Sequence, residues 1–165
     1  MIGGVRLAGG IALIAAAALV QVTWAPRLEV HGAFPNLVLV LVVGTIWTAG
    51  QRAGLAWACA GGLLLDLTGP GPLGPHALAL LGGAYLCGSW VRYVDRDSLL
   101  QPVLAAACGT AAYSVILVGA DEVLGLPLPP LRVAVQLAVA AAAYNALLAP
   151  AAVLALRRSR PELAI

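Results

Sequence analysis

Asp66 and His76 are the two residues in this chain whose type and spacing most directly suggest chemistry. Asp66 is the only acidic residue set inside an apolar run, Gly61-Gly62-Leu63-Leu64-Leu65-Asp66-Leu67, and His76 follows a short Gly/Pro turn. A carboxylate and an imidazole within reach of one another can pass a proton, yet nothing else in the chain resembles a transport relay. Three roles are open to Asp66. It can satisfy backbone N–H groups of the turn as a structural staple, contact a partner, or serve a ligand or proton. No other constellation points to catalysis. Ser89, Ser98, Ser114 and Ser159 have no histidine placed nearby in sequence, and the turn after Asp66 lacks the lysine of a phosphate-binding loop. Cys59, Cys87 and Cys108 each lie in an apolar run without metal-ligand spacing, so they read as small hydrophobes. Neither a metal nor a cofactor is expected.

The elements that carry these residues are apolar to an extent that restricts the solvent. Hydrophobic residues make up 62% of the 165 positions and charged ones 10%, too few to cover a water-soluble surface. A bilayer is the expected surroundings, and polar groups inside hydrocarbon are costly enough to mark sites. A net charge of +2, with arginines scattered, does not suit a nucleic-acid binder.

Six apolar runs are expected to form helices, at about 4–24, 35–49, 53–67, 73–91, 99–119 and 131–156. Together they make one domain, a six-helix transmembrane bundle. The first run could also describe a cleaved signal peptide, but its length and the runs that follow favour an uncleaved helix. Pro35 suits the first turn of the second helix, and Pro150 is expected to kink the sixth.

Nine arginines and no lysine fall at the seams between runs. With the N-terminus cytoplasmic, the inner segments hold Arg6, Arg52, Arg92, Arg96, Arg157, Arg158 and Arg160, and the outer ones only Arg27 and Arg132. Arginine bias over short loops sets orientation, so both termini are expected on the cytoplasmic side. The basic tail also suits anionic membrane lipids. The outer segments otherwise carry Glu29 and His31, then Asp121 and Glu122 ahead of a Pro-rich stretch.

Gly54, Ala58, Gly62 and Asp66 recur every four residues and so share a helix face, where small residues let another backbone come close in lipid. Counting from Arg52, roughly 21 Å of helix carries Asp66 short of the far boundary of a core about 30 Å thick. The irregular turn from Thr68 to Pro75 should therefore dip into the outer face, covered by protein or reached by water. Gln136, Tyr144 and Asn145 of the last helix, with Tyr113 and Ser114 of the fifth, are expected to make interhelical hydrogen bonds.

Pro35-Asn36-Leu37 opening one helix, Arg52-Ala53-Gly54 opening the next, then Gly61 to Leu67, Gly71-Pro72-Leu73-Gly74, Ala77-Leu78 and Tyr85 together resemble the MreD family of rod shape-determining bacterial membrane proteins. The family often has an acidic residue where Asn36 stands. The resemblance implies a non-enzymatic scaffold of the cell-elongation complex in the cytoplasmic membrane. Its implied partner is an MreC-like single-pass protein, working alongside the actin-like MreB and the peptidoglycan synthases. It also implies a bundle similar to the substrate-binding subunits of energy-coupling-factor vitamin transporters, which makes small-molecule capture the rival function. Pro35, Asn36, Gly54, Gly62, Asp66, Gly74, His76 and Tyr85 are the candidate structural or partner-contact residues.

Overall fold

The computed structural model describes residues 2–24, 33–94, 98 and 100–158. Arg27, Glu29 and His31, with Arg96 and Arg160, lie outside the described residues. Six α-helices account for nearly all that is described, and no strand occurs among those residues. They are α1 (Ile2–Thr23), α2 (Leu37–Ala49), α3 (Gln51–Thr68), α4 (Pro75–Trp90), α5 (Leu100–Val123) and α6 (Leu131–Arg158).

α2 is the hub. Its sequence LVLVLVVGTIWTA is apolar on every side, and a helix of that kind must be enclosed. Val38, Val42, Val43, Ile46 and Trp47 are all essentially inaccessible, and α2 touches each of the other five helices. Around it, α3 packs on α4, α4 on α5 and α5 on α6, with Leu80 and Val153 closing the core. Only Gly50 separates α2 from α3, so those two run antiparallel in immediate contact.

Helix lengths decide where the helix ends lie. At 1.5 Å per residue the 13-residue α2 is about 20 Å long and the 16-residue α4 about 24 Å, whereas the 28-residue α6 reaches about 42 Å. The start of α2 meets Asn145, some 14 residues and roughly 21 Å into α6. The start of α4 meets Tyr113, in the middle of α5. The α5–α6 hairpin therefore stands well proud of the level at which α2 and α4 begin.

α5 and α6 are long and apolar enough to cross a membrane, and little of either is buried inside the protein. Val115, Val123, Leu131, Val139 and Leu147 are all more than three-fifths exposed. Such helices differ from the core helices of water-soluble proteins, which hide their apolar residues.

Several expected boundaries shift, among them that of α3, which starts at Gln51 and so takes Arg52 into the helix. Pro35 stands ahead of the N-cap Asn36 instead of in the first turn, because the Asn36 side chain takes over the capping. α4 begins at Pro75, after Gly74, since Pro72 and the φ of +119° at Gly74 keep the preceding residues out of the helix. α5 continues past Gly119 through Asp121 and Glu122 to Val123, as no helix breaker precedes Gly125. α6 runs through Pro150 without ending there.

Candidate functional site

The first four N–H groups of a helix have no partner within it. α4 begins inside the bundle, so its orphan donors need one from elsewhere. Asp66, near the end of α3, supplies it. Its Oδ2 accepts the Gly74 N–H at 2.9 Å and the Ala77 N–H at 3.2 Å, and its Oδ1 accepts the His76 N–H at 3.0 Å. Pro75, between them, has no N–H to satisfy. The first intrahelical bond then follows, from Leu78 N–H to the Gly74 carbonyl at 2.8 Å. A fourth donor, Nδ1 of His76, reaches Oδ1 at 2.9 Å. The carboxylate is wholly shielded from solvent, and its four acceptor positions are filled by four donors.

The backbone brings these groups together through two glycines. Gly74 adopts φ +119°, a conformation side chains other than glycine's rarely take, and so turns the chain into α4. Gly62 lies against the start of α4 so closely that an added Cβ would sit 2.7 Å from the Ala77 nitrogen and 3.0 Å from the His76 carbonyl carbon. One turn before Asp66 in α3, this close approach holds the α4 start within reach of the carboxylate.

α2 solves the same problem with neutral side chains. The Asn36 N–H donates to Asn145 Oδ1 at 2.8 Å, the Leu37 N–H to Gln21 Oε1 at 2.6 Å, and the Leu39 N–H to Asn36 Oδ1 at 2.9 Å. Asn145 in turn donates through Nδ2 to Thr110 Oγ1 at 2.9 Å, and that hydroxyl donates to the Ala106 carbonyl at 2.7 Å. The chain of bonds ties α1, α2, α5 and α6 into one layer. No buried side-chain nitrogen or oxygen among the described residues lacks a partner, which is what a site of low dielectric requires.

Between the two capped starts lies a cavity of about 500 Å³. Gln21, Asn36, His76, Thr110, Tyr113 and Ser114 supply its polar groups, and Leu65, Leu117, Leu137 and Ala138 belong to its aliphatic wall. The His76 and Tyr113 rings face one another at 6.4 Å, tilted by 53°.

Asp66, Gly74 and His76 thus come together, with Gly62 behind them, and Asn36 borders the same cavity. Pro35 is buried beside Asn36. Gly54 is buried too, pressed against the Ile46 side chain of α2. The small-residue face of α3 is therefore filled from within by α2 and α4, and does not remain open to a partner helix. Tyr85 stands apart, 60% exposed on α4. Of the expected interhelical bonds, Asn145 makes its own at the centre of the layer, whereas Gln136 is exposed. Gln21 and Thr110 are the participants that sequence reasoning missed. A glutamine near the end of an otherwise apolar helix was the available signal for the first; nothing local marked the second.

The thiols carry no linkage. Cys59 and Cys108 are exposed, and buried Cys87 donates to the Ala105 carbonyl at 3.1 Å. No cluster of potential metal ligands occurs among the described residues. Comparison with family models, with curated proteins and with solved structures gives no match to this chain.

Proposed function

We propose that the chain is a non-enzymatic scaffold of the MreD type, a six-span bundle in the bacterial cytoplasmic membrane that holds an MreC-like single-pass protein. The reading is carried by the residue pattern from Pro35 to Tyr85, in which Asp66, Gly74 and His76 make a helix-start clamp and not a reaction centre.

Other observations support it. Large apolar side chains cover the outside of the bundle, among them Leu19, Leu67, Leu78, Leu86, Val139 and Leu147, as a lipid-immersed surface requires. α2 and α4 are shorter than the hydrocarbon is thick, and irregular backbone at membrane depth survives only where protein satisfies it. The caps from Asp66, Asn145 and Gln21 meet that condition. Arg52, Arg92, Arg157 and Arg158 gather at the bundle end opposite Asp66, with Arg92 donating to Gln51 at 2.5 Å. That asymmetry suits a cytoplasmic end carrying both termini. In this scheme the clamp faces the periplasmic half and the partner helix lies against the exposed outer surface, in concert with MreB and the peptidoglycan synthases.

Co-expression with the MreC-like protein, followed by purification in mild detergent, tests the proposal. Stoichiometric co-elution is expected. A folded bundle that elutes alone at every detergent tried would remove it.

The cavity beside His76 favours a second reading, a substrate-binding subunit of a vitamin-type transporter. Thermal stabilisation by one compound of a vitamin panel would favour that reading over the first.

A further inference from the structure

A scaffold has no need of a half-open cavity of about 500 Å³ beside its polar layer. Its volume falls within the range of small-molecule sites. At roughly 30 Å³ for each heavy-atom-sized group, it has room for a molecule on the order of 15 heavy atoms.

The walls define the occupant's body. Leu117, Leu137, Ala138 and Ala141, from α5 and α6, offer aliphatic carbon and suit a flexible hydrocarbon chain. The polar groups define its head. His76 commits Nδ1 to Asp66, and its Nε2 has no bond to a described residue. Ser114 and Tyr113 add hydroxyls next to one another on α5. None of the described lining residues carries a fixed charge. Asp66 does not line the cavity, and its acceptor positions are already taken. The start of α4 borders the cavity, but the Asp66 carboxylate already answers its partial positive charge. An ionic head would find no counter-charge among the described lining residues, whereas a hydroxyl or carbonyl would find hydrogen-bond partners there.

We propose that this cavity binds one uncharged amphiphile, an aliphatic chain of about a dozen carbons ending in a hydroxyl or carbonyl, with the head between His76, Tyr113 and Ser114. The site stands on the cavity alone and does not depend on the MreC-like partner, so the two ideas fail independently.

The test uses the full chain in phosphatidylcholine nanodiscs and a photoreactive probe, dodecanol carrying an alkyl diazirine. Two residues on the lipid-facing side of the same helices, Val115 and Val139, serve as internal controls, being 73% and 65% exposed. Peptide mapping is expected to find adducts on Ser114, Leu117, Ala138 or Ala141 that excess 1-dodecanol displaces. Dodecanesulfonate and dodecyltrimethylammonium at the same mole fraction should not displace them, and adducts at Val115 and Val139 should respond to none of the three. Ala138→Phe, which fills the cavity, should abolish the displaceable adducts and leave those at Val115 and Val139, evidence that the bundle is intact. Ser114→Ala, which removes only one head-group contact, should weaken them. Adducts confined to Val115 and Val139 would overturn the proposal. So would cavity adducts that survive Ala138→Phe in the intact bundle, or displacement by the charged amphiphiles equal to that by dodecanol.

Discussion

The side-chain oxygen of Asn145 accepts the backbone N–H of Asn36 at 2.8 Å, joining residues 109 positions apart at full burial. α6 thereby caps a helix that begins halfway along it. The same side chain holds Thr110 of α5 through its amide nitrogen, so one residue fixes the depth of α2 relative to both long helices.

Asn145→Leu should be distinctly destabilising. It orphans the Asn36 N–H and removes a bond to Thr110, and a buried donor left unmade costs about 1–3 kcal/mol. Asn145→Asp keeps the acceptor and loses only the donor to Thr110, at the risk of a buried charge. Thermal unfolding of the purified protein in detergent should find both variants below the parent.

Asp66→Ala should cost more than Asn145→Leu, because it strands three backbone donors at once along with Nδ1 of His76. Asp66→Asn keeps the shape but presents N–H to N–H on one side, and should fall between Asp66→Ala and the parent. Glu122→Ala, at an exposed position, should stay within about 0.5 kcal/mol of the parent. A Glu122→Ala effect larger than that of Asp66→Ala would contradict the capping role.

Asp66 was legible in the sequence for a physical reason: a lone carboxylate among leucines, ending a row of small residues, has to be satisfied by something nearby. The Gly/Pro turn was the nearest source of free N–H groups, and His76 followed it. The partners of α2 were not legible in the same way. Gln21 and Thr110 act only because the end of α1 and the middle of α5 lie at the level where α2 begins, and that level depends on unequal helix lengths. Pro35 is ambiguous in sequence because proline suits both the first helical turn and the residue before a cap. Asp121 and Glu122 read as loop in the sequence because they are charged, yet charged residues extend a helix until a breaker such as Gly125 intervenes. The row Gly54, Ala58, Gly62 correctly marked a close approach, but a single sequence does not distinguish a neighbour in the same chain from one in another.

Gly62→Ala and Gly119→Ala form a contrast within one residue type. The first drives a methyl into the backbone of Ala77, with no flexible side chain to yield, and should cost at least the 1–3 kcal/mol typical of overpacking. The second adds a methyl in open space within α5 and should be neutral or stabilising by up to about 1 kcal/mol. Yields of folded protein and melting temperatures of the pair would check both.

Thiol labelling tests the packing around α4. With an apolar, membrane-permeant maleimide in mild detergent, Cys59 and Cys108, which face the outside of the bundle, should react well ahead of buried Cys87, which stays protected until the protein is unfolded. Prompt modification of Cys87 would mean that the α4–α5 contact is looser than its bond to Ala105 implies.

Hydrogen–deuterium exchange in lipid nanodiscs reads the capping itself, because the polar residues protect two particular sets of backbone amides. The N–H groups of Gly74, His76 and Ala77, and those of Asn36, Leu37 and Leu39, should exchange as slowly as mid-helix amides. Asp66→Ala should release the first set and leave the second protected; Asn145→Leu should do the reverse at Asn36. Rapid exchange of both sets in the parent protein, at the rate of open loops, would mean that these side chains do not cap the two helix starts.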